Sequence, residues 1–198
     1  MENKEIKNHD AETQYTSSLQ QHVAFFDRNK DGKIYPSETY NGFRALGFTR
    51  PISIFASIFI HLGLSYKTLD SPIPSLLFPI YIKNINRGRH PNDSGIYDNE
   101  DKFTHHKLDE LFKEFAKTFP DRISLDEMNE MRKSFYKGQT ISGRLASKVE
   151  WQFAHNLLKD DNGYVSKEHI KRIFDGSIFY YIEEEHKRKI SEDGSTVS

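Results

Sequence analysis

Asp27-Arg28-Asn29-Lys30-Asp31-Gly32-Lys33-Ile34-Tyr35-Pro36-Ser37-Glu38 places an oxygen donor at each spacing that a calcium loop requires. A hard cation takes six to eight oxygens. This stretch offers the side chains of Asp27, Asn29 and Asp31, the Lys33 carbonyl, and Glu38 as a bidentate ligand. Gly32 permits the sharp central turn, where a side chain would resist positive φ. Ile34 falls at the eighth position, from which such a loop pairs with a neighbour through a short strand. A polar turn that binds nothing has no reason to meet all these constraints together. The reading is a helix, a calcium loop and a second helix, an EF-hand over 15–47.

EF-hands pack in pairs, so a second loop is expected near the other end of the chain. Lys159-Asp160-Asp161-Asn162-Gly163-Tyr164-Val165 supplies one, in damaged form. Aligning Gly163 with the turn glycine puts Leu158 at position one and His169 at position twelve, so both decisive carboxylates are missing. This loop is expected to be structural, with Val165 as the strand partner of Ile34. The fold class that follows is mainly α. It holds an EF-hand pair with one competent and one degenerate loop, together with an apolar hairpin-like segment and a proline-rich turn.

At 198 residues the chain suits one domain with appendages. Its 28 basic and 29 acidic residues give a net charge of −1, which argues against nucleic acid as a partner. The absence of cysteine removes disulfides, thiolate metal sites and cysteine nucleophiles. Residues 1–18 are polar and lack the basic-then-apolar start of a secretory signal, so a cytosolic start is expected.

The first 14 residues read as disordered. Leu19, His22, Val23 and Phe26 mark one face of the helix that enters the calcium loop, and Tyr40, Phe43 and Leu46 mark the helix that leaves it. The apolar run at 51–64, interrupted by His61, is too short to span a bilayer, which takes about 20 apolar residues. It reads either as a core helix or as a hairpin inserted into one leaflet or a lipid droplet. Pro72, Pro74 and Pro79 forbid a regular helix beyond it and favour a turn between apolar arms, so 51–79 form one segment. Residues 80–86 alternate like a short strand, and 87–102 form a long polar loop, so 80–102 make the next. Helical spacing dominates 103–182, where Ser124 and Glu127 form a capping box and the degenerate loop follows. Residues 183–198 read as a flexible tail.

Two histidines stand out for their position. His22 lies on the apolar face of the entering helix, and His90 lies in the long polar loop. Periodicity makes neither a ligand, but in a chain without cysteine any haem must use histidine, tyrosine or methionine.

The order of these pieces resembles the caleosins, the plant peroxygenases. The resemblance rests on Leu19-Gln20-Gln21-His22-Val23-Ala24-Phe25-Phe26-Asp27, the calcium loop, the apolar run and Pro74-Ser75 to Pro79. It continues through Arg89-His90, Asp93-Ser94-Gly95, Tyr97-Asp98 and Asp175-Gly176-Ser177-Ile178-Phe179. It covers 17–182, treated as one domain over 15–182. It implies a calcium-dependent protein carrying haem b and Ca2+. Such a protein uses fatty-acid hydroperoxides to epoxidise unsaturated fatty acids or hydroxylate other substrates. The implied location is the cytosolic face of lipid droplets or endoplasmic reticulum. The family's haem-associated histidines fall on His22 and His90, one to hold the iron and the other to serve the peroxide proton. The chain departs from the pattern at Asp70 and Leu76, which replace prolines of the proline knot, at His61, where asparagine is commoner, and at Pro91, where glycine is usual. The competing reading is a calcium-regulated structural or trafficking protein of lipid droplets without chemistry.

Overall fold

The computed structural model describes residues 15, 17–71, 73–88, 96–98, 102–135 and 141–195. The expected disorder of 1–14, His90 and most of the long polar loop lie outside the described residues. The protein is mainly helical, as expected, and no helix among the described residues is long and apolar enough to cross a membrane.

Two helical units are built alike. In the N-terminal one, α1 (Ser18–Ala24) leads through the calcium-loop sequence to β1 (Lys33–Ile34) and α2 (Pro36–Ala45). Ser17 caps α1, its hydroxyl accepting from the Gln20 N–H at 3.2 Å. Pro36 suits the first turn of α2, where no N–H is needed. Next come α3 (Arg50–Thr68), β2 (Ile80–Tyr81) and a 3-10 helix (Ile82–Gly88). In the C-terminal unit, α4 (His105–Phe115), β3 (Arg122–Ser124) and α5 (Leu125–Ser134) precede α6 (Ile141–Leu158), β4 (Tyr164–Ser166) and α7 (Lys167–Asp175).

The strand pairing corrects the sequence reading. Ile34 pairs with Ile80, and Val165 pairs with Ile123, so the two expected loops are not partners. Each loop has found a nearer strand, which leaves a shorter length of chain to close. The segment read as a strand at 80–86 is therefore two strand residues followed by 3-10 helix. The loop before Ile123, which carries no ligand pattern, is the true companion of the degenerate one.

The apolar run at 51–64 lies within one continuous helix, α3, which packs with its polar side inward, and the proline-rich loop after it returns along the helix to bring Phe78 against His61. Ser53, Ser57, His61, Ser65 and Thr68 are buried, while Phe55 and Phe59 are 69% and 68% exposed. Serines four residues apart form a narrow stripe that lets α2 and the 3-10 helix approach closely. Their burial is tolerated because the hydroxyls bond back to the helix itself. Ser53 donates to the Thr49 carbonyl and Ser57 to the Ile54 carbonyl, both at 2.9 Å.

Where a flexible tail is expected over 183–198, the described residues continue as α8 from Ile178 to Ser195. Phe179 and Tyr180 pack on Phe25, Glu183 pairs with Arg28 at 3.4 Å, and His186 lies against Gly47. These contacts fix the first half of the helix against the N-terminal unit. The two units meet where α7 ends. Gly176 closes α7 with φ of 84°, and a Cβ there would stand 2.7 Å from the His22 backbone nitrogen. Only glycine satisfies both the left-handed turn and that approach.

Candidate functional site: the calcium loop, His22 and an outward apolar face

The loop is shaped by its own carboxylates. Asp27, buried at the end of α1, accepts the Asp31 N–H at 3.1 Å on Oδ1 and the Gly32 N–H at 2.9 Å on Oδ2. Asn29 accepts the Asp31 N–H at 3.0 Å, and Asp31 accepts the Lys33 N–H at 2.8 Å. These bonds gather Asp27, Asn29 and Asp31 around one turn. Glu38 accepts the Tyr35 N–H at 2.9 Å, a bond that leaves most of its lone pairs open. Among the described residues no three His, Asp or Glu side chains already converge as a metal cluster. The donor set is nonetheless that of a hard cation, all oxygen, from side chains and the Lys33 carbonyl.

Tyr15 was not singled out by sequence. Its hydroxyl donates to Asp27 Oδ2 at 2.8 Å, and burial, then that bond and the Asp27 and Asp31 charges, push its pKa upward. It thus stays a donor to the loop's first carboxylate. Arg28 lies over the Phe25 ring at 4.3 Å and pairs with Glu183, tying α8 to the loop.

His22 lies in α1, five residues before Asp27, which stands just past the end of that helix at Ala24. Its Nδ1 is buried and has no hydrogen-bond partner, and its ring lies 4.5 Å from that of Phe179. Burial lowers its pKa to about 4, so the imidazole is neutral at physiological pH. A neutral ring with an unsatisfied nitrogen is the form that ligates metal, and this orphan atom fits a haem-ligand role. His90 cannot be placed beside it, being outside the described residues. Phe179, which covers His22, was legible only as part of the Asp175-to-Phe179 motif. Asp175 accepts from the Ser177 N–H at 3.0 Å and from its hydroxyl at 2.6 Å, and this starts the helix that carries Phe179.

The third component is the outward face of α3. Phe55 and Phe59 stack with centroids 5.9 Å apart, and Leu62 and Tyr66 continue the row. Beyond α3, Ile73, Leu76 and Leu77 are also exposed, Leu76 by 92%. Together these side chains leave an extended apolar face open to solvent. A cleft of about 620 Å³ opens elsewhere, beside Lys117, Glu127 and Arg132, and takes no residue from the N-terminal unit.

Comparison with known proteins finds relatives over most of the chain. The chain is 43% identical over 173 residues to a probable peroxygenase 4 of Arabidopsis thaliana, covering 87% of this chain and 89% of the relative. It is 43% identical over 169 residues to a peroxygenase of Lilium longiflorum, covering 85% of this chain and 71% of the relative. A probable inactive peroxygenase-like protein of Arabidopsis thaliana is 30% identical over 150 residues, covering 76% of this chain and 72% of the relative. No solved structure matches it. Residues 14–183 match the profile of caleosin related proteins, and the chain therefore belongs to the caleosin family.

Proposed function

We propose that this protein is a calcium-dependent haem peroxygenase acting at a lipid surface. It would reduce a fatty-acid hydroperoxide to the alcohol while the released oxygen epoxidises an unsaturated fatty acid or hydroxylates another acceptor. The observation that carries the reading is the buried, unpartnered Nδ1 of neutral His22 on the helix that enters the calcium loop. Relatives named peroxygenases over most of the chain support it.

Calcium would be held by Asp27, Asn29, Asp31, the Lys33 carbonyl and Glu38, in an EF-hand whose partner strand is Ile80–Tyr81. Haem b, when bound, supplies the iron chemistry that splits the peroxide O–O bond and passes on its oxygen. His22 would hold it, with Phe179 keeping water from the ring; His90 would then receive and return the peroxide proton. The converse assignment, His90 to the iron and His22 to the proton, is the alternative that the variants below distinguish. Because Asp27 follows closely on the helix that carries His22, its N–H donating to the Ala24 carbonyl, ordering of the loop by calcium would fix the histidine.

The exposed face of α3 and the apolar loop after it would lie in the surface of a lipid droplet or endoplasmic reticulum, on the cytosolic side. Each large side chain moved from water into hydrocarbon contributes roughly 1.5–3 kcal/mol, so several together suffice for anchoring. The helix would lie within the surface rather than cross it, and fatty-acid substrates would reach the site from that surface.

The experiment is an absorption spectrum of calcium-loaded, haem-reconstituted protein and of its His22→Ala and His90→Ala variants. A Soret band lost in one variant, with oleate epoxidised by added hydroperoxide, supports the enzyme and names the iron ligand. A native chain that takes up no stoichiometric haem would overturn it. The second reading, a calcium-regulated lipid-surface protein without chemistry, is favoured by the α3 face and by the relative named as inactive. It predicts vesicle binding with no Soret band.

A further inference from the structure

His61 is buried on α3, whose outward side is apolar, and both of its ring nitrogens are engaged. Nε2 lies 2.8 Å from the Thr39 hydroxyl oxygen, and Nδ1 lies 2.6 Å from the Phe78 carbonyl oxygen. A carbonyl only accepts, so in the neutral ring Nδ1 carries the proton and donates to Phe78, while Nε2 accepts from Thr39. The ring is thus a rigid spacer between two named atoms.

Those atoms belong to different parts of the proposed site. Thr39 is buried in the first turn of α2 and directly follows Glu38, the last residue of the calcium loop. Phe78 closes the exposed apolar loop of Ile73, Leu76 and Leu77. Its backbone has φ of 47°, a left-handed conformation that a bulky residue keeps only where its surroundings hold it. The His61 bond to its carbonyl is one such hold. A second connection runs alongside: Ile34 pairs with Ile80, and the Ile82 N–H donates to the Gly32 carbonyl at 3.1 Å.

We propose that His61 is a positioning residue that couples the calcium loop to the apolar loop at 73–78. Glu38 engages one N–H in its present orientation, and calcium ligation would turn it toward Asp27 and Asp31. Movement of that turn of α2 carries Thr39, and the imidazole passes it to the Phe78 carbonyl. Calcium would in this way set the conformation of the loop that meets lipid. The inference rests on the calcium and lipid assignments proposed above and adds a route between them. Coupling of two sites is reciprocal, so freeing the apolar loop must also change calcium affinity.

The test is amide hydrogen exchange of the full chain with and without calcium, alongside calcium titration by calorimetry. In the native chain, calcium is expected to slow exchange at 75–78 as well as in Lys33 and Ile34. His61→Phe keeps a ring but removes both nitrogens. It is expected to abolish the slowing at 75–78, preserve it at Lys33 and Ile34, and weaken calcium binding about three- to tenfold. Thr39→Val removes only the hydroxyl and should give the same uncoupling, which covers the case in which His61→Phe fails to fold. His61→Gln, which keeps a donor and an acceptor, should restore part of the response. An equal calcium response at 75–78 in the native chain and both uncoupling variants, or none in the native chain, would overturn the proposal. Flotation with phospholipid vesicles separates the two readings. A chain that floats but shows no coupled exchange keeps the lipid assignment and loses His61's role, whereas coupled exchange without flotation does the reverse.

Discussion

Glu38 and Glu127 occupy the same place in two similar units, each the third residue of the helix that leaves a loop. Their surroundings differ. Glu38 accepts one backbone N–H, from Tyr35. Glu127 accepts the Lys117 N–H, the Thr118 N–H and the Thr118 hydroxyl on one oxygen, and the Ser124 N–H on the other. The first carboxylate keeps lone pairs for a cation, while the second already does a cation's work by gathering the loop. The neighbouring C-terminal loop is treated in the same spirit. There Arg122 brings a fixed positive charge to 3.6 Å from Asp160, the acid at the third position of the degenerate sequence. An identical residue at an identical step of a helix is therefore left open in one unit, as the proposed calcium ligand, and tied into the architecture in the other, according to how many donors reach it.

The largest expected effect separates these two acids directly. Glu38→Gln should weaken calcium binding by roughly 100-fold, because the bidentate ligand becomes a single neutral oxygen. Glu127→Gln should leave it unchanged. Calorimetric titration of both variants decides the matter, and equal losses would break the comparison.

Stability should respond in the opposite order. Glu127→Ala strips the acceptor from four donors, and a hydrogen bond to a charged group contributes about 1.5–3 kcal/mol net, less where water reaches it as it does for the Lys117 and Thr118 donors. A net loss of about 2–4 kcal/mol in urea unfolding is expected, and added calcium should not restore it. Glu38→Ala, which frees one N–H at a helix start, should cost about 1 kcal/mol or less in calcium-free buffer.

The two faces of α3 give a smaller and sharper contrast. Ser57→Leu forces three extra carbons into the stripe against which α2 packs and should cost about 1–3 kcal/mol. Phe59→Asp, on the outward face, should change stability by no more than about 0.5 kcal/mol while reducing flotation with vesicles. If Phe59→Asp instead unfolds the protein, the outward face is covered by protein and the lipid assignment fails.

Much of this was readable in sequence, but not which surfaces meet. The helix–turn–helix around the proposed calcium loop was legible because its pattern is fixed by spacing within a single stretch, from Asp27 to Glu38. The Ser124–Glu127 capping box was legible for the same reason. The loop before it was not, since Ala116, Thr118 and Pro120 carry no acid and its identity lies in the Ile123–Val165 pairing. Helical periodicity displayed both stripes of α3, and the usual rule that apolar residues face inward pointed to the wrong one. Ser53, Ser57, His61 and Ser65 at intervals of four were the available signal. The helix at 183–195 looked like a solvated charged tail because its anchor, Glu183 to Arg28, joins residues 155 positions apart. His22 was found from its face and from the family resemblance, but Phe179 over it and Tyr15 on Asp27 are tertiary contacts without a local pattern.

The smallest effect concerns pH and tests whether Glu127 is held as an anion. Burial alone would raise its pKa. The Ser124 N–H and the Thr118 hydroxyl and N–H outweigh that and hold the carboxyl below its ordinary value of 4.5. A carboxylate depressed in the folded state contributes stability that is fully present above the unfolded value and is lost as pH falls through the folded one. The native chain should therefore lose stability as pH drops below about 4.5. Glu127→Gln, which cannot ionise, should show a shallower loss over the same range. The comparison is best made by urea unfolding at matched ionic strength, because salt screens the surface pairs that also respond to acid. Parallel profiles for the two proteins would mean that the loop is gathered by hydrogen bonding alone and that the charge on Glu127 adds nothing. A flattened profile for the variant would show that this unit replaces a bound cation with an anion whose counter-dipoles are its own N–H groups.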